Sequence, residues 1–219
     1  MKVIRGGGDE KPKDQSLLQI LRHALPTTAS KEINDYRVRN LLNIWRGLWR
    51  ILVARVFNIG HAYGAVYAKV IRGDGSILNL GLVSLRVVTT AGVNKIVAGL
   101  NAGDTSTFSS FKYHGFGTGT TAEASSDTAL VTELTTQYAV DNTRPTGSQT
   151  TGGSSNVYRS VGTLTPDSGG TIAVTEHGLF SASSSGTLFD RSKFSAINLD
   201  STNGDSLQVT YDGTFPAGG

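Results

Sequence analysis

Two kinds of hydrophobic spacing divide the chain. From about Asn34 to Phe57, Leu41, Trp45, Leu48, Trp49, Leu52, Val53 and Val56 recur at helical intervals on one side. Arg39, Arg46 and Arg50 are assigned to the other side, so the pattern predicts a basic amphipathic helix. A shorter apolar stripe, Leu17, Leu18, Ile20 and Leu21, predicts a preceding helix that ends before Pro26, with Thr27 to Ser30 as linker. Residues 1–14, rich in glycine and alternating charge, offer too little apolar surface to offset the entropy of ordering and read as a flexible arm.

Beyond Gly60 the helix formers give way to Gly, Ser, Thr, Val and Tyr, the composition of strands and tight turns. The segments His61 to Arg72 and Ile77 to Val88 flank Gly73, Asp74, Gly75 and Ser76, which predicts a β-hairpin closed at an Asp-Gly turn. A short helix follows, capped by Thr89 or Thr90 and stopped by Gly103, with Val93, Ile96, Val97 and Leu100 as its apolar stripe. Further strands are expected around Phe108 to Phe116, Val157 to Leu164, Thr171 to Thr175, Leu188 to Ile197 and Leu207 to Phe215. The clearest alternation is Leu207, Val209 and Tyr211 against Gln208, Thr210 and Asp212. Asp141 to Ser155 is almost wholly polar and reads as an exposed excursion or a polar hairpin.

Short strands without repeating helices between them predict a mainly β protein, an antiparallel β-sandwich or jelly-roll-like domain carrying an N-terminal arm and an α-helical segment. The expected division is 1–60, a flexible arm and basic docking helix, and 61–219, the β domain. Charge sharpens the division. Residues 1–73 hold thirteen Lys/Arg against five Asp/Glu, an excess of +8, whereas residues 74–219 hold seven against twelve, a balance of −5.

Cysteine is absent, which removes disulfides, thiolate nucleophiles and Cys-bearing metal sites and suits assembly in a reducing cytoplasm. The N-terminus lacks the apolar core of a secretory signal. The most apolar helical stretch is interrupted by Arg46, Arg50 and Arg55, too many charges for a membrane span. His23, His61, His114 and His177 stand apart in sequence and match no zinc spacing. Glu176 beside His177 is the nearest approach to an acid–base pair, but neighbours on a strand face opposite ways. No nucleophile-elbow motif supports a Ser/His/Asp triad. Gly115 to Thr121 has the look of a phosphate loop yet lacks its Gly-Lys-Ser/Thr ending, and a glycine-rich bend between strands accounts for it better. Arg72-Gly73-Asp74 spells an adhesion tripeptide, and the hairpin accounts for the same residues. No catalytic, cofactor or metal residues are expected, and no small-molecule substrate.

The remaining candidate is the basic helix. Arg39, Trp45, Arg46, Trp49 and Arg50 are the expected partner-binding residues, with tryptophans as interface anchors and arginines meeting acidic groups on the same protein or a neighbour. Nucleic-acid phosphates and an anionic membrane are the competing readings of that face, in which Arg37 and Arg55 join Arg39, Arg46 and Arg50 beside the tryptophans, and they are ranked below protein docking because the rest of the chain offers no second basic cluster.

Four segments add a resemblance. GTGTTAEASSDTALVTEL (117–134), TEHGLFSASSSGTLFDRSKFSAINL (175–199), GDSLQVTYDGTFPAGG (204–219) and LGLVSLRVVTTAGV (80–93) are similar to stretches of virion structural proteins of tailed bacteriophages. The resemblance covers most of 61–219 and leaves 1–60 outside. It implies a non-enzymatic virion component made in the host bacterial cytoplasm: a capsid decoration or cement protein, with a neck or tail attachment or fibre component as runner-up. The implied partners are the phage major capsid protein or neck and tail proteins, with the chain as a homo-oligomer in the virion. A host-glycan-binding module is a third reading, weakened by few aromatics and no paired acidic motif.

Overall fold

A computed structural model describes residues 30–57, 62–139 and 141–216. The arm, the Leu17–Leu21 helix, His23 and His61 lie outside these residues. The protein is mainly β, with eight strands in two antiparallel sheets among the described residues. The strands are β1 (Tyr63–Ile71), β2 (Ile77–Val87), β3 (Tyr113–Gly117), β4 (Ser148–Thr151), β5 (Val157–Leu164), β6 (Thr171–Phe180), β7 (Leu188–Asp200) and β8 (Ser206–Thr214). One sheet has the order β2-β1-β8-β5-β4 and the other β3-β6-β7. Alternate residues of both inner faces, among them Val66, Leu207 and Val209 from the first and Phe116, Val174 and Phe194 from the second, fill one sandwich core.

Among the described residues three α-helices accompany the sheets: α1 (Lys31–Val56), α2 (Thr90–Ala102) and α3 (Ser106–Ser110). The expected strand from Phe108 is therefore corrected. Asp104 accepts hydrogen bonds from Ser106 N–H (2.9 Å) and from the Thr107 hydroxyl (3.0 Å), starting a helical turn that runs to Ser110 before β3 begins. The polar stretch after Asp141 forms the hairpin alternative, its β4 pairing with β5 from Ser148↔Val161 to Thr151↔Tyr158.

The α2 caps follow the reading. The Thr89 hydroxyl accepts from Gly92 N–H at 3.0 Å, and Gly103, at φ +64°, ends the helix. Its apolar stripe does so only at Ile96, which packs half-buried against the core; Val93, Val97 and Leu100 are exposed, and the helix seats itself through Gly92 against the Phe189 backbone and Gly99 against Thr107. Glycine lets the helix backbone come so close that its neighbouring side chains are left outside.

Helix α1 closes the sandwich where β2 and β7 end their sheets. The β1–β2 ladder skips a residue twice, at Val83 and at Leu80, and each bulge turns a carbonyl out of the ladder. Both carbonyls are taken by α1: Asn40 donates to Val83 O at 2.7 Å and Arg37 Nε donates to Leu80 O at 3.2 Å. The same Asn40 accepts from Ser195 N–H of β7 at 2.8 Å, while the Tyr36 hydroxyl donates to Ser195 O at 3.2 Å. Four backbone groups on the two edge strands, the Val83 and Leu80 carbonyls and the Ser195 N–H and carbonyl, are thereby satisfied. Ile44, Leu48 and Ile51 complete the seat against Tyr63, Ala65, Leu82 and Leu85.

Candidate docking surface and the buried polar interior

Histidines 63 residues apart in sequence meet inside the sandwich. His114 Nδ1 lies 2.9 Å from His177 Nε2, and His114 Nε2 lies 2.8 Å from Ser160 Oγ. A serine, a histidine and a second histidine in line have the outline of a nucleophile with its base. All three are fully buried. The backbone is pressed onto them as well: a Cβ on Gly147 would lie 2.4 Å from His114 Nε2, and one on Gly162 would lie 2.4 Å from the same ring. No space remains beside Ser160 Oγ or His114 Nε2 for a reacting group. Burial pushes His114 down to about 3 and, with His114 alongside, holds His177 well below the usual imidazole range. The neutral trio joins β3 and β6 of one sheet to β5 of the other.

Glu176, also fully buried, faces away from this trio, as neighbouring strand positions require. Its Oε1 accepts from Gly119 N–H (3.0 Å) and Thr132 N–H (2.8 Å), its Oε2 accepts from Val131 N–H (3.2 Å), and Arg191 pairs with it at 2.8 Å. Arg191 also reaches Asp127 at 2.9 Å and Thr121 O at 3.0 Å. The glycine-rich segment does cradle an anion, but the anion is the chain's own carboxylate. A Cβ on Gly119 or Gly117 would strike Glu176 Oε1, at 2.4 and 2.5 Å, which accounts for both glycines. Segments 117–134 and 175–199, two of those that carry the resemblance, are thus knotted together through Glu176 and Arg191. A second staple lies nearby, where Arg144 pairs with Glu133 at 2.5 Å and stacks 3.4 Å over the Phe180 ring.

Arg72-Gly73-Asp74 is absorbed by the hairpin. Arg72 pairs with Asp205 (2.6 Å) and Glu32 (3.0 Å), Asp74 accepts from Ser76 N–H (2.8 Å), and Gly75 adopts φ +83°. Gly73 is the spatially constrained position, because a Cβ there would overlap Asn203 O.

The expected partner-binding residues all fall on the solvent side of α1. Trp45 is 60% exposed and Trp49 58%, and Arg39, Arg46 and Arg50 are exposed. One assignment is corrected: Leu48 does not share the tryptophan face but belongs to the buried one, with Tyr36, Asn40, Ile44 and Ile51. The helix is apolar on two sides, and its seat on the sandwich leaves the second uncovered. Val38, Leu41, Leu42, Leu52 and Val56 are exposed beside the tryptophans. No Asp or Glu among the described residues forms an ion pair with Arg39, Arg46 or Arg50. The acids near the start of the helix are already engaged, Asp35 by Lys31 at 2.7 Å and Glu32 by Arg72.

The sequence signal for this surface was present, since period and residue types marked it. Asn40 was not singled out, and Arg37, expected on the basic face, is buried and donates to Leu80 O instead, because nothing local announces that bulges on β2 will offer these side chains carbonyls. Among the described residues no cluster of three or more His, Asp or Glu is placed to hold a metal ion, and no helix is long and apolar enough to cross a membrane. Comparison with protein-family models, with curated proteins and with solved structures gives no match.

Proposed function

We propose that this protein is a non-enzymatic virion component of a tailed phage, a decoration or cement protein that binds and stabilises the capsid shell through the outer face of α1. One observation carries the docking part: the helix is anchored to its own sandwich by one face and leaves Trp45, Trp49 and their apolar neighbours exposed on another. Contiguous exposed apolar surface of this kind marks an interaction site. Aromatic anchors supply most of the affinity at such a surface, while arginines at the rim supply orientation and encounter rate. The segment resemblance supports the virion setting, and the sealed Ser160–His114–His177 trio supports a structural rather than hydrolytic role.

Bridging neighbouring capsid subunits stabilises a shell by mass action, because the bound protein favours the assembled state. The test mixes the purified protein with empty shells of its phage and measures bound stoichiometry and the shell's rupture temperature. Saturation at a defined copy number with raised rupture temperature is expected, and Trp45→Ala with Trp49→Ala removes both. Saturable binding to tails or necks but not to shells replaces the cement role with the attachment role, and turnover of a host glycan overturns the structural reading altogether.

A further inference from the structure

The exposed apolar positions on α1 follow a rule narrower than amphipathicity. Val38, Leu42, Trp45, Trp49, Leu52 and Val56 are spaced four, three, four, three and four residues apart, the alternation of a coiled-coil seam. All six are at least 41% exposed. The seam runs for about 27 Å at the helical rise. By the turn of the helix, Arg39, Arg46 and Arg50 border it along one side, with no carboxylate of the described residues paired to them. Its two central layers are the tryptophans. A flat apolar groove needs no such alternation, and a lipid surface needs only a wide apolar face. A facing helix needs its knobs to recur every three and four residues.

We infer that the occupant of this seam is a helix of the docking partner, with its own apolar heptad positions facing Trp45 and Trp49 and with glutamates or aspartates flanking them opposite Arg39, Arg46 and Arg50. This rests on the docking reading above and names the chemistry of its partner. Charge decides between a foreign helix and a second copy. The acids of α1, Glu32 and Asp35, sit in its opening turns and are engaged within the chain, so a copy of α1 brings arginines and no free acid to the border. Like charges along a helix pair disfavour it, and acidic flanks favour it.

The chain's two tryptophans are both on the seam, so their fluorescence reports occupancy directly. The full-length protein is titrated with two synthetic helical peptides that share one leucine heptad seam, one flanked by glutamate and one by lysine, and with anionic phosphatidylglycerol vesicles. The glutamate peptide should shift the emission to the blue and saturate at one per protein, at least about tenfold tighter than the lysine peptide. The difference should shrink at ~1 M salt. Leu42→Ala with Leu52→Ala should weaken binding at least about tenfold without altering the fold. Arg39→Gln, Arg46→Gln and Arg50→Gln together should abolish the preference between peptides.

Equal binding of both peptides overturns the acidic partner. A shift with vesicles and neither peptide assigns the face to lipid, and a concentration-dependent shift in the protein alone, with doubled sedimenting mass, assigns it to a second copy. Blue emission from the free monomer shows the face already covered by the chain itself. The two readings separate in competition on shells. If shells bind through the tryptophans but the glutamate peptide neither binds nor displaces the protein, the partner chemistry fails and docking stands. If the peptide binds and shells do not, the reverse holds.

Discussion

The interior of the sandwich and the outer side of α1 invert the usual distribution of polarity. Glu176, Arg191, Asp190, His114 and His177 are buried among strands, while Trp45, Trp49 and Leu42 face solvent. Buried polar groups and exposed apolar patches are the two observations that carry information about a surface or a core. Here they differ in what surrounds them. Glu176 has three backbone donors and an arginine, and each histidine of the trio has a partner. These interior groups find their partners within the chain, although Asp190 Oδ2 and His177 Nδ1 are left without one. The helix face has exposed apolar side chains, and its arginines Arg39, Arg46 and Arg50 form no ion pair with the described residues, which is the contrast the docking proposal rests on.

The largest expected effect tests whether the interior depends on its own partners. Arg191→Met keeps the volume and removes the cation, leaving Glu176 in a buried site without its counter-charge, and should cost about 3–5 kcal/mol in chemical denaturation. A loss below about 1 kcal/mol would mean that the three N–H donors alone hold the carboxylate and that Arg191 is dispensable. Next comes a contrast within α1. Ile44→Ala, on the buried face, should cost about 2–5 kcal/mol, whereas Leu42→Ala, two positions away and 75% exposed, should change stability by less than about 0.5 kcal/mol. Similar costs at both positions would place a covering element over the outer face. Asn40→Ala should fall between, at about 1–3 kcal/mol, because Val83 O and Ser195 N–H both lose their partner in a buried setting. Hydrogen exchange should then rise at Ser195 ahead of the sandwich centre, and unchanged protection there would remove Asn40 from the edge seal.

What the sequence revealed divides along the same line. The hairpin at Asp74-Gly75, the Thr89 and Gly103 caps and the strand Val157–Leu164 were legible because each rests on a few consecutive residues and their own backbone. Helix α1 was legible as a helix but not in its orientation. With apolar residues on two sides, periodicity gives the axis and not the side a sheet will cover, so Leu48 was grouped with the tryptophans it stands apart from. The interior was least legible. His114 and His177 become neighbours only when β3 pairs with β6, through Phe116↔His177 and His114↔Leu179, and Glu176 receives its donors from a loop more than forty residues earlier. Of the α2 stripe only Ile96 reaches the core, for a steric reason: Gly92 and Gly99 admit the neighbouring backbone and side chain so closely that the glycine side becomes the packed one.

The smallest effect concerns pH, where two parts of the interior pull in opposite directions. His114 and His177 are held neutral by burial, so between about pH 6.5 and 3 the unfolded chain binds protons that the folded one refuses, and stability falls as pH falls. Asp190 does the reverse. Burial raises its carboxyl to about 7, against the Ser192 hydroxyl bond at 2.9 Å and the nearby charge of Arg86, and its Oδ2 has no hydrogen-bond partner. From about pH 4 to 7 the folded state therefore holds a proton that the unfolded state has lost, and stability falls as pH rises. Over the shared window the two trends oppose, two histidines against one carboxyl, which predicts a shallower loss of stability toward acid than the histidines alone would give. Asp190→Asn keeps the shape and removes the titration. It should leave stability at pH 4 nearly unchanged, add to it at pH 8, and expose the histidine limb as a rise in melting temperature from pH 4 to 6.5. A variant less stable than the native protein at pH 8 would mean that Asp190 works as an ionised partner of Arg86, which already pairs with Glu123, rather than as a neutral acid.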